Sequence, residues 1–313
     1  MVAVSRAAIL NPAWSLQFMS GLYADQGWAR AWSALAASRR TAPNLALLGN
    51  CGSVATPLQK EQTTEFLLRC SAAWEKIFWV PGPHELASPS KELMVDQLHS
   101  LRQVAANVMK ETGGTILILD KSEYACHADD VVLLGITGWP DLLGNGIMPL
   151  RPATSIEATR LWTAGGDTGG HAQNIQPGDI QKWNAESLQW IRERISWWNA
   201  YRPGMRKVVL THHLCTASLL SSGLSLAVYE RASLDVMSDY STADLLGNRA
   251  GVSPTAWLCG ATGSSCTGLL RNGTFIGVNS LFGAEGGGAA AAANPRWMAD
   301  RRFELSPVKV RME

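Results

Sequence analysis

Short apolar runs recur along the chain at residues 16–19, 45–48, 77–80, 115–119, 131–136, 208–210, 256–259 and 275–278. Each has the length of one strand, and the near-continuous run of apolar residues predicts strands buried on both faces. Between them the period changes to that of a helix. Trp28, Trp32 and Leu35 repeat at i, i+4 and i+7, Met94, Leu98, Leu101 and Val108 share one face, and Leu188, Ile191, Ile195 and Trp198 make a third stripe. Thr56-Pro57 with Gln59 reads as a capping-box start with Pro at the first helical position. Strands and helices in alternation, then a strand-rich tail, predict an α/β fold: two packed mixed β-sheets flanked by helices. No Pro/Ser-rich or charged stretch divides the chain, so residues 1–313 read as one domain. Residues 1–15 are expected to be an N-terminal extension, and the glycine-rich stretches 165–178 and 286–294 surface loops. Asn272-Gly273, between two apolar runs, reads as a hairpin turn rather than a glycosylation acceptor.

Composition narrows the function classes. With 27 Lys+Arg against 26 Asp+Glu the net charge is +1, which supplies no field for direct binding of nucleic acid or an anionic membrane surface. The chain is 46% hydrophobic and 17% charged, far from the composition of disordered proteins. No apolar run approaches the roughly 18 residues of a membrane span. Six cysteines, Cys51, Cys70, Cys126, Cys215, Cys259 and Cys266, lie scattered through apolar sequence without a C-x-x-C pair. They read as reduced core residues and point to a reducing intracellular compartment, cytoplasm or mitochondrion. The first residues lack a secretory h-region, and a short organellar presequence stays open.

Chemistry is sought at strand ends, because α/β sites collect at the carboxyl edge of the sheet. The run at 16–19 leads into Ser20-Gly21-Leu22-Tyr23, and the run at 45–48 into Gly49-Asn50-Cys51-Gly52. The run at 77–80 leads into Pro81-Gly82-Pro83-His84-Glu85, that at 208–210 into Thr211-His212-His213, and that at 256–259 into Gly260-Ala261-Thr262-Gly263. In order, each at a strand end, these resemble the five signature blocks of the calcineurin-like metallophosphoesterases: Asp-x-His, Gly-Asp, Gly-Asn-His-Glu/Asp, His, and Gly-His-x-His. Ser241 to Leu245 before the last block and the Asn272-Gly273 hairpin after it are similar as well. The resemblance spans nearly the whole chain and implies the αββα sandwich of that superfamily.

The departures bear on function. The resemblance implies two divalent cations that generate a hydroxide and clamp a phosphoryl group, and two such cations repel unless anionic ligands lie between them. At the bridging-Asp position stands Asn50, a neutral amide. Gly21 and Tyr23 replace the Asp and His of the first block, Pro83 replaces the Asn ligand, and Ala261 and Gly263 replace the last two His. Only Asn50 and His212 remain as donors, fewer than the three or four protein ligands of a zinc-like site. His84, the family's proton donor, remains with Glu85 and His213, and without metals reads as a hydrogen-bonded loop histidine.

Other chemistries are weaker. Gly165 to His171 lacks the Gly-Lys-Ser/Thr ending of a P-loop, and no Gly-x-Ser-x-Gly elbow is present. Cys215 has no positioned acid. Cys51 and Cys266 with His212 are the remaining route to a soft metal. Thirteen Trp against six Phe and five Tyr, with Trp183, Trp190, Trp197 and Trp297 off any single buried stripe, suggest an interaction surface. The expectation is therefore a degenerate metallophosphoesterase-like pseudoenzyme with no metal, no cofactor and no catalytic residue. Its vestigial positions are Gly21, Tyr23, Asn50, Pro83, His84, His212, Ala261 and Gly263, and its partners other protein subunits. The alternatives are a phosphoesterase with an unconventional metal site, and a module binding phosphate or nucleotide in the vacated cleft.

Overall fold

A computed structural model describes residues 14–36, 40–139, 160–164, 172–215, 253–260, 265–269, 273–279 and 302–305. The apolar runs form the strands expected of them. β1 (Trp14–Met19), β2 (Asn44–Leu48), β3 (Lys76–Val80) and β4 (Thr115–Ile118) are parallel neighbours, and β13 (Arg302–Leu305) adds antiparallel to β1. The second sheet has the order β11-β12-β10-β9-β6-β5, built from β5 (Ser122–Cys126), β6 (Val131–Ile136), β9 (Arg206–Thr211), β10 (Ala256–Cys259), β11 (Ser265–Leu269) and β12 (Phe275–Asn279). Within it β6, β9, β10 and β12 run parallel, while β5 and β11 pair antiparallel at the two edges. A small antiparallel pair, β7 (Trp162–Ala164) and β8 (Ala172–Asn174), stands apart.

Why the strand sequences are apolar throughout is visible in the layers. Leu16, Phe18, Ala46, Leu48, Phe78 and Val80 of the first sheet meet Val131, Leu133, Val208, Leu210, Ala256 and Leu258 of the second in one buried layer. The alternate residues Leu45, Leu47, Ile77 and Trp79 face helices α1 (Trp28–Ala36), α2 (Pro57–Ala73) and α4 (Met94–Thr112). On the far side Val132, Leu134, Val209 and Trp257 face α5 (Pro177–Tyr201) through Leu188, Ile191, Ile195 and Trp198. The result is an αββα sandwich of two mixed sheets, each burying both faces.

Several local expectations shift. Trp14 and Ser15 are part of β1, not of an extension, because they pair with Leu305 and Glu304 of β13, nearly the whole chain away. Within 165–178, Ala172–Asn174 is strand β8, and Pro177 starts α5, where the Asp179 carboxylate accepts the Gln176 N–H at 2.8 Å. Residues 165–171 and 286–294 lie outside the described residues. Thr56 caps α2 by accepting the Gln59 N–H at 3.3 Å, but the Gln59 side chain does not return to Thr56 and instead donates to Asp25 at 3.0 Å. The expected hairpin joins β11 to β12 with Leu269 opposite Phe275, and Gly273 takes φ 85 in its loop. Cys51, Cys70, Cys215 and Cys259 are buried, whereas Cys126 is half-exposed and donates its thiol to Asp129 at 2.8 Å.

Phe78 sits in the layer between the sheets, its ring 5.1 Å from that of Tyr124. Phe78→Ala is expected to cost about 3–5 kcal/mol, through lost burial and the cavity left behind. Urea unfolding of the variant beside the parent measures it.

Candidate functional site

The carboxyl ends of β1, β2 and β3 lie beside those of β6, β9 and β10, and the loops leaving them converge. Side-chain hydrogen bonds help stitch the two sheets together along this edge. Asn279 donates its amide to the Phe18 carbonyl at 2.9 Å, Thr137 donates its hydroxyl to the Pro81 carbonyl at 2.9 Å, and His212 donates Nδ1–H to the Leu48 carbonyl at 2.9 Å. The packing leaves no room for a side chain at Gly49, φ 76, where a Cβ would lie 2.3 Å from His212 Nδ1. Glycine is needed there both for its backbone angle and for its lack of bulk.

Glu85 organises the loops. It is fully buried on α3 (Pro83–Leu86), and its carboxylate accepts from five N–H groups. Oε1 takes Cys51 N at 2.6 Å, Gly52 N at 3.3 Å and Trp79 Nε1 at 3.3 Å, and Oε2 takes Gly82 N at 2.8 Å and Asn50 N at 2.9 Å. Burial pushes the Glu85 carboxyl above its ordinary range, while the charge of His84 and the N–H bonds from Cys51, Asn50 and Gly82 pull it back. Both oxygens act as acceptors, so the group is held as a carboxylate.

Above this anchor sit the sequence-singled positions. Asn50 is buried in the left-handed region, φ 53. Its amide is used at both ends: Nδ2 donates to Tyr23 Oη at 3.0 Å, and Oδ1 accepts the His84 N–H at 3.2 Å. Tyr23 is fully buried at φ 47, a conformation costly for an aromatic residue, and its ring stands edge-to-face on His84 at 4.7 Å. His84 turns Nε2 onto the Asp25 carboxylate, 2.9 and 3.0 Å from its two oxygens. Asp25, in a 3-10 turn at Ala24–Gln26, is buried and also accepts from Gln59.

The structure thus brings Tyr23, Asn50, His84 and Glu85 into one hydrogen-bonded group, with Gly21 in the adjoining loop at φ 68 and Pro83 opening α3. His212 packs against Gly49 and Gly82 beneath it. Ala261 and Gly263, and the side chain of Cys266, lie outside the described residues. Sequence reading missed Asp25 and Gln59, one in the loop after β1 and the other in the first turn of α2. The only signal was an acid four residues after Gly21, which no spacing rule links to His84.

The charged groups of the site are the Glu85 and Asp25 carboxylates and the His84 ring that faces Asp25. Among the described residues no three His, Cys, Asp or Glu side chains gather as a metal ion would require. Among the described residues the donors do not fit a pair of divalent cations: the Asn50 amide has both ends committed, and Nε2 of His84 faces a carboxylate of the protein itself. His213, also buried, has its pKa lowered to about 3 by burial.

No family model matches the chain. It is 27% identical over 177 residues to the protein named "Uncharacterized protein L509" of Acanthamoeba polyphaga mimivirus, a match covering 54% of each chain, so it spans about half that relative's length. Among solved structures it is similar to the phosphopantetheinyl hydrolase of Mycobacterium tuberculosis, with TM-score 0.55 and 14% identity over 87% of this chain and 90% of that one. It also aligns with a dimetal phosphatase from Danio rerio, with TM-score 0.48 and 12% identity over 95% of this chain and 100% of the other. At 14% identity the likeness to the hydrolase concerns the fold alone.

Two outcomes follow from the geometry. Glu85→Gln keeps the shape but turns an amide donor toward N–H groups that already donate, leaving at least two donors unsatisfied, and is expected to cost about 3 kcal/mol in urea unfolding. For His213, the folded state stays neutral down to about pH 3, while the unfolded chain takes up a proton below about pH 6.5. Its contribution to stability is therefore complete above the unfolded value and lost as pH falls toward the folded one. His213→Gln should flatten the stability profile between those limits, and a profile as steep as the parent's would contradict this assignment.

Proposed function

We propose that this protein is a metallophosphoesterase-like chain that has lost dimetal phosphoesterase chemistry and serves as a structural or interaction subunit of a larger protein assembly. The observation that carries the reading is Asn50. At the position where the resemblance requires a bridging carboxylate stands a neutral amide, donating to Tyr23 and accepting from His84. Two cations held together would need negative charge there. The nearest carboxylates are committed elsewhere, Glu85 to five N–H groups and Asp25 to His84 and Gln59.

An interaction role is supported on the outer face of α5. Trp197 and Tyr201 are 43% and 64% exposed, and their rings stack at 4.6 Å. Arg194 lies over Trp197 at 4.6 Å and is itself fixed by Glu123 at 2.7 and 2.8 Å. Rigid exposed aromatics with an arginine are the residue types that anchor protein interfaces. Thiols at Cys51, Cys70, Cys126 and Cys259 support a reducing compartment, cytoplasm or mitochondrion.

Asp25 favours one second reading. It brings to the site a carboxylate that the block-by-block comparison does not contain, so a phosphoric ester hydrolase with an unconventional donor set, using Asp25, His84 and Asn50, is the competing function. Elemental analysis separates the two. The purified protein is expected to carry well under one equivalent of Mn, Fe or Zn, and two equivalents that survive dialysis would sink the proposal. Asn50→Asp should lower the melting temperature, because its carboxylate is buried with few donors, and should leave hydrolysis of an aryl phosphodiester in Mn²⁺ at background. A native mass of the protein from its own cells should show one large complex, which Trp197→Ala with Tyr201→Ala weakens.

A further inference from the structure

The loop between β1 and α1 is tied down more tightly than a connection requires. Its backbone N–H groups run along the loop after β2: Gly21 donates to the Gly49 carbonyl at 3.1 Å, Tyr23 to Asn50 at 3.0 Å and Ala24 to Cys51 at 2.8 Å. Its side chains reach that same loop and two further elements. Tyr23 Oη accepts from Asn50, and Asp25 accepts from His84 on α3 and from Gln59 on α2. Tyr23 and Asn50 both hold left-handed backbone angles, 47° and 53°. Such angles persist in non-glycine residues only where the surroundings over-determine them. Directly beneath lies Cys51, fully buried, its thiol donating to the Gly49 carbonyl at 3.3 Å and lying against the Gly21 and Leu22 backbone.

We propose that Tyr23–Gln26 is a strap closed over the cleft, and that the Asp25–His84 pair is its lock. The inference rests on the reading that the cleft holds no metals. The lock follows from burial. A carboxylate taken out of water needs donors, and Asp25 finds them on two elements that no backbone bond of the strap reaches. Gln59 gives up its expected return bond to the α2 cap to supply one. His84 supplies the other, and its Nε2 is thereby turned away from any ligand in the cleft. Tyr23 fills the space above Asn50. A small anion or a divalent cation then meets a ring and a neutral amide, with the remaining charges already paired.

Cys51 reports on the strap. Iodoacetamide labelling, read peptide by peptide, is expected to run at least about ten-fold faster at Cys51 in Asp25→Ala and in His84→Ala than in the parent, because loss of the lock lowers the free energy of local opening. Labelling of Cys70, buried on α2, and Cys259, buried on β10, should stay at the parent's rate. The double variant should label Cys51 no faster than the faster single one, since each change breaks the same lock. Equal acceleration at all three cysteines would show general destabilisation and overturn the proposal, as would singles that leave Cys51 protected or effects that multiply in the double variant. Should Asp25→Ala fail to fold, Asp25→Asn, which keeps the size and one acceptor oxygen, must still accelerate Cys51 selectively. Metal analysis of the parent is a separate arm: two bound equivalents would overturn the metal-free reading whatever the labelling shows.

Discussion

The buried carboxylate of Glu85 is the constraint on which the site depends. An ion this deep in the protein persists only if its oxygens are fully supplied with donors, and five N–H groups from three segments meet that demand. Three of them are consecutive, Asn50, Cys51 and Gly52, and the left-handed turn at Asn50 lets successive amides point at one acceptor, as in the nests that bind anions. Here the anion is part of the chain. Once the turn is set, the Asn50 side chain has one place to go, and Tyr23 and His84 are positioned by it.

The network above Glu85 pairs the polar groups of three loops with one another. The pairs are amide with phenol, amide oxygen with backbone N–H, and imidazole with carboxylate. In each of these pairs water is exchanged for a protein partner. Gly49 and Gly82 allow the approach, since a Cβ on the first would strike His212 and on the second would lie 2.7 Å from Asn50 Oδ1. The cost appears in the backbone, where an aromatic residue is held at positive φ.

The outer face of α5 obeys a different logic. One side of the helix is spent on the second sheet, through Leu188, Ile191, Ile195 and Trp198. The opposite side carries rings stacked on each other and on an arginine, held rigid by Glu123, which also accepts the Trp198 indole N–H at 3.1 Å. Core and surface therefore share one carboxylate: the residue that satisfies the buried indole also orients the exposed Arg194. Rigid, pre-ordered aromatic groups lose little conformational freedom on association, which is why they suit an interface.

How much of this was legible in the sequence depends on the range over which each interaction acts. Runs such as 131–136 and 256–259 announce strands because burial on both faces demands apolar residues at successive positions, and stripes such as Leu188 to Trp198 announce a helix because one face does. The Thr56-Pro57 start was visible because a cap is made within three residues. Strands β5, β7, β8 and β13 were not, since they are short or mixed in polarity and owe their existence to partners elsewhere, Trp14 opposite Leu305 being the longest reach. In the site, the residue types at Gly21, Tyr23, Asn50 and His84 were readable at strand ends, but their pairing was not. Asp25 and Gln59, 34 positions apart, meet only when α2 packs beside the loop after β1. Sequence determined which groups the cleft contains, because side-chain chemistry is local; tertiary structure decided which of them neutralise each other, because a hydrogen bond or ion pair acts over about 3 Å and only packing sets that distance.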